Sequence, residues 1–217
     1  MASTVPPHGG RPVDVRGRPL GEGKIVLIMV HGRDAGTENI LGLVPAMPSL
    51  AATYLAPAAA GGTWYPKSFL SPIEQNEPGI TSGISVIHGL IDDAITAGVR
   101  ADHIVLLGFS QGACLAVTAA ERRPARYGGL CIFSGGLIGP PGTVWSGAGD
   151  FGGTPVLLGC CEDDPHIPEE RVHETATVLQ RMGAAVDTRM YPAAMGHMIN
   201  GDEMMYAHEL VTQLAAR

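Results

Sequence analysis

The chain has 217 residues, of which 45% are hydrophobic and 16% are charged, and it carries a formal net charge of −7. This length can bury one sizeable core, and this composition excludes a disordered chain. Lysine and arginine form no cluster, so a nucleic acid is not expected as a partner. No apolar run reaches transmembrane length, so we expect no stable membrane insertion.

Residues 1–22 are rich in proline and glycine and are predicted to be an N-terminal arm that the core positions poorly. This segment has no apolar signal-peptide region. Four cysteines follow, at positions 114, 131, 160 and 161, without the Cys-x-x-Cys spacing of zinc sites. A bridge between the neighbours Cys160 and Cys161 would be strained. We therefore expect four free thiols, no metal site and a cytoplasmic location.

Apolar runs and helical patterns alternate along the rest of the chain. Buried strands are predicted at 24–31, 53–57, 103–109, 130–135 and 155–161, with an edge-like strand at 186–192. Helices are predicted at 80–98, 111–123, 168–183 and 202–216, the first of them capped by Thr81 or Ser82. This alternation predicts an α/β fold with a mostly parallel central sheet flanked by helices. In such sheets the ligand lies beyond the carboxyl ends of the strands.

The sequence Gly108-Phe109-Ser110-Gln111-Gly112 lies at one of these ends, where a strand becomes a helix. A sharp turn there needs small residues on both sides of its central residue, and it lifts the serine hydroxyl above the sheet edge. The Gln111 N–H falls at a helix start, where it has no intrahelical partner and can bind an oxyanion. The pattern predicts that Ser110 is a nucleophile.

A serine hydroxyl needs a general base, and in this fold the partners follow in the order Ser, acid, His. His197 alone among the eight histidines lies in a loop after the last predicted strand. The loop after 155–161 offers the acid that would orient His197. We choose Asp164 because Pro165 fixes the turn beside it, and Asp163 is the alternative. Asp202 is expected to cap the last helix instead.

The loop after the first buried strand, residues 30–39, can supply a second oxyanion donor. Its sequence is His-Gly followed by Arg33, and the Arg33 N–H is the candidate. His31 is a candidate brace for this loop. A direct role of the Arg33 guanidinium in substrate binding is the less expected alternative to simple exposure.

These pieces resemble the phospholipase/carboxylesterase family of α/β-hydrolases, which includes the acyl-protein thioesterases. The resemblance rests on "HGRDAGTEN", "LAPAAAGGTWYP", "GFSQGA", "DPHIP" and a late "GH", and it runs from about residue 24 to the C-terminus. It implies an α/β-hydrolase domain over residues 23–217. It implies catalytic roles for Ser110, Asp164 and His197, and oxyanion N–H groups at Arg33 and Gln111.

The chain departs from the thioesterases, which usually carry a hydrophobic residue at the Arg33 position and Trp-Phe-Asp where this chain has Trp-Tyr-Pro. Its sequences "GGTWYP" and "DPHIP" look more like those of a bacterial carboxylesterase branch. The segment between strands 130–135 and 155–161 is short and glycine-rich, so no large lid is expected. Pocket-lining residues are predicted at Trp64, Tyr65, His166 and Ile167, although Trp64 and Tyr65 could instead only pack the loop.

We therefore predict a serine carboxylesterase that acts on small short- to medium-chain esters and needs no cofactor. An acyl-protein or acyl-CoA thioesterase, or a lysophospholipase, is an alternative that the same residues would serve. A dienelactone hydrolase would call for cysteine at position 110. A ligand-binding protein on a hydrolase fold is the non-enzymatic alternative. Methionines near the C-terminus are interpreted as adaptable core or pocket lining, and a self-association surface is the alternative, which leaves a homodimer open.

Overall fold

The computed structural model describes residues 5–48 and 52–217. These residues form one sheet of seven strands: β1 (Val13–Gly17), β2 (Ile25–Val30), β3 (Ala52–Pro57), β4 (Ile104–Phe109), β5 (Gly129–Phe133), β6 (Pro155–Cys161) and β7 (Ala185–Tyr191). The α-helices are α1 (Thr37–Leu41), α2 (Gly79–Thr96), α3 (Gln111–Arg122), α4 (Glu169–Arg181) and α5 (Gly201–Ala215). The predicted helices and strands are all present, with bounds that shift by two residues or fewer.

The strand order is β1-β3-β2-β4-β5-β6-β7, and every pairing is parallel except that of β1 with β3. The central strands are buried on both faces because helices cover both sides of the sheet. Along β2, Val26, Ile28 and Val30 face the core shared with α2, α3 and α4. The residues between them face the core shared with α1 and α5. The predicted mostly parallel sheet is confirmed, and β7 is an edge strand as expected.

Residues 5–22 do not form an arm separate from the core. Residues 13–17 pair antiparallel with β3 as the other edge strand. Ahead of them His8 is buried, with its backbone N–H bound to the Ser82 hydroxyl at 2.9 Å. The prediction failed here because "VDVRG" lacks the apolar character of a buried strand, while its partner supplies the pairing.

Two predicted helix caps also differ from the structure. Helix α2 begins at Gly79, ahead of Ser82, whose hydroxyl donates to the Val5 carbonyl at 2.6 Å. Helix α5 is capped by Asn200, whose side chain accepts from two backbone N–H groups in the first turn. Asp202 instead accepts hydrogen bonds from Arg189 and Tyr191, both at 2.8 Å. In both cases the side chain predicted as a cap bonds instead to a group from another segment of the chain.

No helix of the described ranges 5–48 and 52–217 is long and apolar enough to cross a membrane. Residues 134–154, between β5 and β6, contain no helix or strand, so no large lid covers the carboxyl ends of the strands. The four cysteines are buried free thiols, and burial raises the pKa of Cys114 to about 11.

Candidate active site

Ser110, His197 and Asp164 come together at the carboxyl edge of the sheet, although 87 and 33 positions separate them along the chain. His197 Nε2 lies 2.8 Å from Ser110 Oγ. His197 Nδ1 lies 2.8 Å from Asp164 Oδ2. This linear relay of hydroxyl, imidazole and carboxylate is the arrangement that turns a serine into a nucleophile.

Ser110 occupies the turn between β4 and α3 in a strained backbone conformation, with φ 55° and ψ −121°. Both flanking positions require glycine because a Cβ at either one would clash with backbone atoms. A Cβ at Gly108 would lie 2.6 Å from the Gly112 carbonyl oxygen. A Cβ at Gly112 would collide with the carbonyl oxygens of Val30 and His31. The predicted reason for glycine on both sides of Ser110 therefore holds.

Asp164 has a fully buried side chain, and both of its carboxylate oxygens have hydrogen-bond partners. Its Oδ1 accepts from the backbone N–H groups of His166 at 2.8 Å and Ile167 at 3.0 Å, and its Oδ2 faces His197. Burial acts to raise the pKa of this carboxyl, but the hydrogen bonds from His197 and the two N–H groups outweigh it and hold the pKa below its ordinary value. The alternative acid, Asp163, is exposed and makes no described contact with His197.

Two backbone N–H groups beside Ser110 have no described acceptor. Gln111 is the first residue of α3, so its N–H has no partner within the helix. The loop after β2 passes close by, since a Cβ at Gly32 would lie 3.5 Å from Ser110 Cβ. Arg33 follows in that loop, and its N–H, for which the described residues show no acceptor, is the second of the two groups. The oxyanion role predicted for these two N–H groups stays a prediction at this point.

The side chains of His31 and Gln111 hold the loop after β2 and the segment 64–65 in place. His31 Nδ1 lies 2.7 Å from the Gly32 carbonyl and its Nε2 lies 3.1 Å from the Ala59 N–H, so His31 braces the loop as expected. Burial lowers the pKa of His31, which favours the neutral ring that can both donate and accept. The Gln111 side chain, which the sequence did not single out, binds Trp64 N–H and Tyr65 C=O at 2.8 Å each.

A pocket of about 680 Å³ opens above Ser110. Of the four residues predicted to line it, Tyr65, His166 and Ile167 do so. Trp64 does not, because it is fully buried between the rings of His8 and His31 and its Nε1 donates to the His31 carbonyl. The packing interpretation is therefore the correct one for Trp64. Further apolar lining that the sequence analysis missed comes from Ile40, Phe69, Phe109 and Ile199.

Glu203 is a buried carboxyl that the sequence analysis did not identify. Its Oε2 accepts from the Asn200 N–H at 2.8 Å and so completes the cap that ends the His197 loop. Its Oε1 has no hydrogen-bond partner among the described residues. The sequence signal was present, because Asn-x-x-Glu ahead of a helix is typical of a capping box.

Replacing Glu203 with glutamine is expected to flatten the dependence of stability on pH. Burial raises the pKa of Glu203 from 4.5 to about 7, so the folded protein holds this proton more tightly than the unfolded chain. The stability that this proton contributes is present below pH 4.5 and is lost as the pH rises through 7. Between pH 5.5 and 8, the free energy of unfolding of the wild type should fall by about 2 kcal/mol relative to Glu203→Gln. Urea unfolding of both proteins at the two pH values measures this, and equal pH dependence would contradict it.

The sheet order, the serine turn and the position of the histidine loop together define an α/β-hydrolase. Residues 39–214 match the model of the phospholipase/carboxylesterase family, and the chain belongs to that family. The structure superposes on a phospholipase/carboxylesterase from Dyadobacter fermentans with a TM-score of 0.89 and 34% identity, covering 94% of this chain and 97% of that one.

Among curated proteins, the chain is similar to a probable carboxylesterase of Oryza sativa, with 27% identity over 64% of this chain and 51% of the relative. It is also similar to acyl-protein thioesterase 1 of Gibberella zeae, with 30% identity over 60% of this chain and 56% of the relative. The chain thus spans little more than half the length of these curated relatives.

Proposed function

We propose that this chain is a serine carboxylesterase that hydrolyses short- to medium-chain carboxylic esters. The observation that carries the proposal is the pair of 2.8 Å contacts that link Ser110 Oγ to His197 and His197 to Asp164. Family membership supports ester hydrolysis as the general chemistry.

The proposed reaction proceeds through an acyl-enzyme. His197 Nε2 takes the Ser110 proton as Oγ attacks the ester carbonyl, while Asp164 stabilises the imidazolium through Nδ1–H. The N–H groups of Arg33 and Gln111 bind the tetrahedral oxyanion. His197 then gives the proton to the leaving alcohol. A water molecule, deprotonated by the same imidazole, attacks the acyl-enzyme and releases the acid and free Ser110.

The shape of the site supports a preference for shorter esters. The pocket is open, and residues 134–154 form no lid above it. Discrimination by an apolar wall is modest, at about 1–3 kcal/mol per methylene, so we expect broad tolerance of acyl length. The second candidate is a thioesterase acting on acyl-protein, which the names of several relatives favour, or on acyl-CoA.

A paired assay tests this proposal. Hydrolysis of 4-nitrophenyl esters from acetate to decanoate is measured beside palmitoyl-CoA, with wild type and Ser110→Ala. We expect kcat/KM to be highest for an acyl chain of eight carbons or fewer and the activity to be absent from the variant. A preference for the long thioester would replace the carboxylesterase with the thioesterase. Absence of Ser110-dependent turnover on every substrate would support a ligand-binding protein.

A further inference from the structure

The charge along the pocket wall is opposite in sign to that of the chain. The net charge is −7, yet the wall carries two cations, Arg33 and Lys67, and one carboxylate, Asp34. Asp34 already accepts a hydrogen bond of 2.9 Å from the Thr63 hydroxyl. The wall therefore presents more positive than negative charge next to the serine.

The Arg33 guanidinium is held in place without a counter-charge. It donates to the carbonyl oxygens of Pro66 at 3.1 Å and Lys67 at 2.7 Å, and its Cζ lies 5.9 Å from the centre of the Tyr65 ring. No described carboxylate pairs with it, whereas Arg16, Arg100, Arg123, Arg171 and Arg189 each pair with an acid. Three of its five N–H donors have no described acceptor.

Lys67 provides a second cation on the same wall. It is one of only two lysines in the chain. Its backbone N–H is fixed by a hydrogen bond of 2.8 Å to the Asn76 side chain, and its ammonium has no ion-pair partner among the described residues. Because Arg33 binds the Lys67 carbonyl, the two positive groups belong to one braced surface.

The Arg33 guanidinium and the His197 imidazole contact different aromatic side chains of the pocket. The imidazole that gives its proton to the departing alcohol, His197, has its ring in contact with Phe109 and His166. The Arg33 guanidinium instead lies over the Tyr65 ring and binds the Lys67 carbonyl, so we assign this surface to the acyl group.

We infer that Arg33 and Lys67 select esters whose acyl group ends in an anion, a carboxylate or a phosphonate-like oxyacid, such as the monoesters of dicarboxylic acids. The inference rests on the proposed ester hydrolysis and specifies its substrate class. A guanidinium binds such groups through paired, charge-assisted hydrogen bonds, which are stronger than neutral ones.

The test uses three 4-nitrophenyl esters, which share the leaving group and have acyl groups of similar length. Two are anionic, mono(4-nitrophenyl) adipate and the 4-nitrophenyl ester of 5-phosphonopentanoic acid, and the third is the neutral 4-nitrophenyl hexanoate. We expect kcat/KM for at least one anionic ester to exceed that for hexanoate by about tenfold, mainly through KM. The better of the two anionic esters identifies the oxyacid. The preference should also shrink as salt is added.

The readout in the variants is the ratio of anionic to neutral kcat/KM, because a disturbed oxyanion hole would lower both rates together. The ratio should fall to about one in the double variant Arg33→Gln with Lys67→Gln, and should fall part of the way in Arg33→Lys, which keeps the positive charge but loses the paired hydrogen bonds. Arg181→Gln, which removes one exposed positive charge on α4, is the control for a change of net charge away from the pocket and should keep the wild-type ratio.

Two outcomes overturn the inference in different ways. If hexanoate is hydrolysed as well as both anionic esters, the selection by charge is wrong while the esterase stands. If none of the three esters shows Ser110-dependent turnover, the proposed function and this inference fall together.

Discussion

Ser110→Ala is expected to lower kcat for a short 4-nitrophenyl ester by a factor of about 10⁵, because removal of the nucleophile leaves only binding and the oxyanion donors. The alanine keeps the Cβ and the backbone of the turn, so the variant should fold as the wild type does. Steady-state rates with separately purified proteins give the ratio. Residual activity above a few per cent would mean that the reaction does not pass through Ser110.

Ser110→Gly separates the chemistry from the strain at the same position. The φ of 55° at Ser110 is costly for any residue that carries a Cβ and is not costly for glycine. The glycine variant should be as inactive as the alanine variant but more stable than it, by about 1 kcal/mol after the entropy of glycine is subtracted. Urea unfolding of the two variants measures the difference. Equal stabilities would show that the turn stores no strain.

Asp164→Asn is expected to lower kcat by a factor of about 10⁴. The asparagine oxygen can still accept from the N–H groups of His166 and Ile167, which leaves its NH₂ facing His197 Nδ1. That contact favours the wrong tautomer of the ring, with a proton on Nε2, and Nε2 can then no longer accept the proton of Ser110. The measurement is kcat on the same short ester.

The matched control is Asp163→Asn, which makes the same chemical change one position earlier on an exposed side chain. It should leave kcat near the wild-type value. Comparable losses in the two variants would indicate that the acidic loop acts through its overall charge. A loss confined to Asp163→Asn would reassign the acid to the alternative that the sequence allowed.

The central strands and the long helices could be predicted because their patterns are local. β4 and α3 meet at "GFSQG", where the glycine spacing expresses a steric requirement that any chain making this turn must satisfy. His197 was identified by chain order, since the fold restricts where a base can lie. Only one histidine met that condition.

The parts that could not be predicted depend on contacts between distant segments. His8 and Trp64 have little local pattern, and their burial arises from packing against each other. The orphaned oxygen of Glu203 depends on its position beneath β6, where it lies against Gly159. Propensity and periodicity carry no information about such pairs, and a single sequence offers no other signal for them.

The edge strand β1 also bears on the tendency of the chain to aggregate. Its partner β3 carries a row of buried, largely apolar side chains, and β1 occupies the backbone groups along its free side. A chain shortened at residue 23, the predicted domain boundary, would leave those backbone groups of β3 unpaired, as an open template for strand addition and aggregation. With β1 in place, the free edge of the sheet is instead a short strand that carries Asp14 and Arg16, and these charges discourage pairing with a strand of another molecule. The N-terminal segment therefore contributes to colloidal stability as well as to the fold.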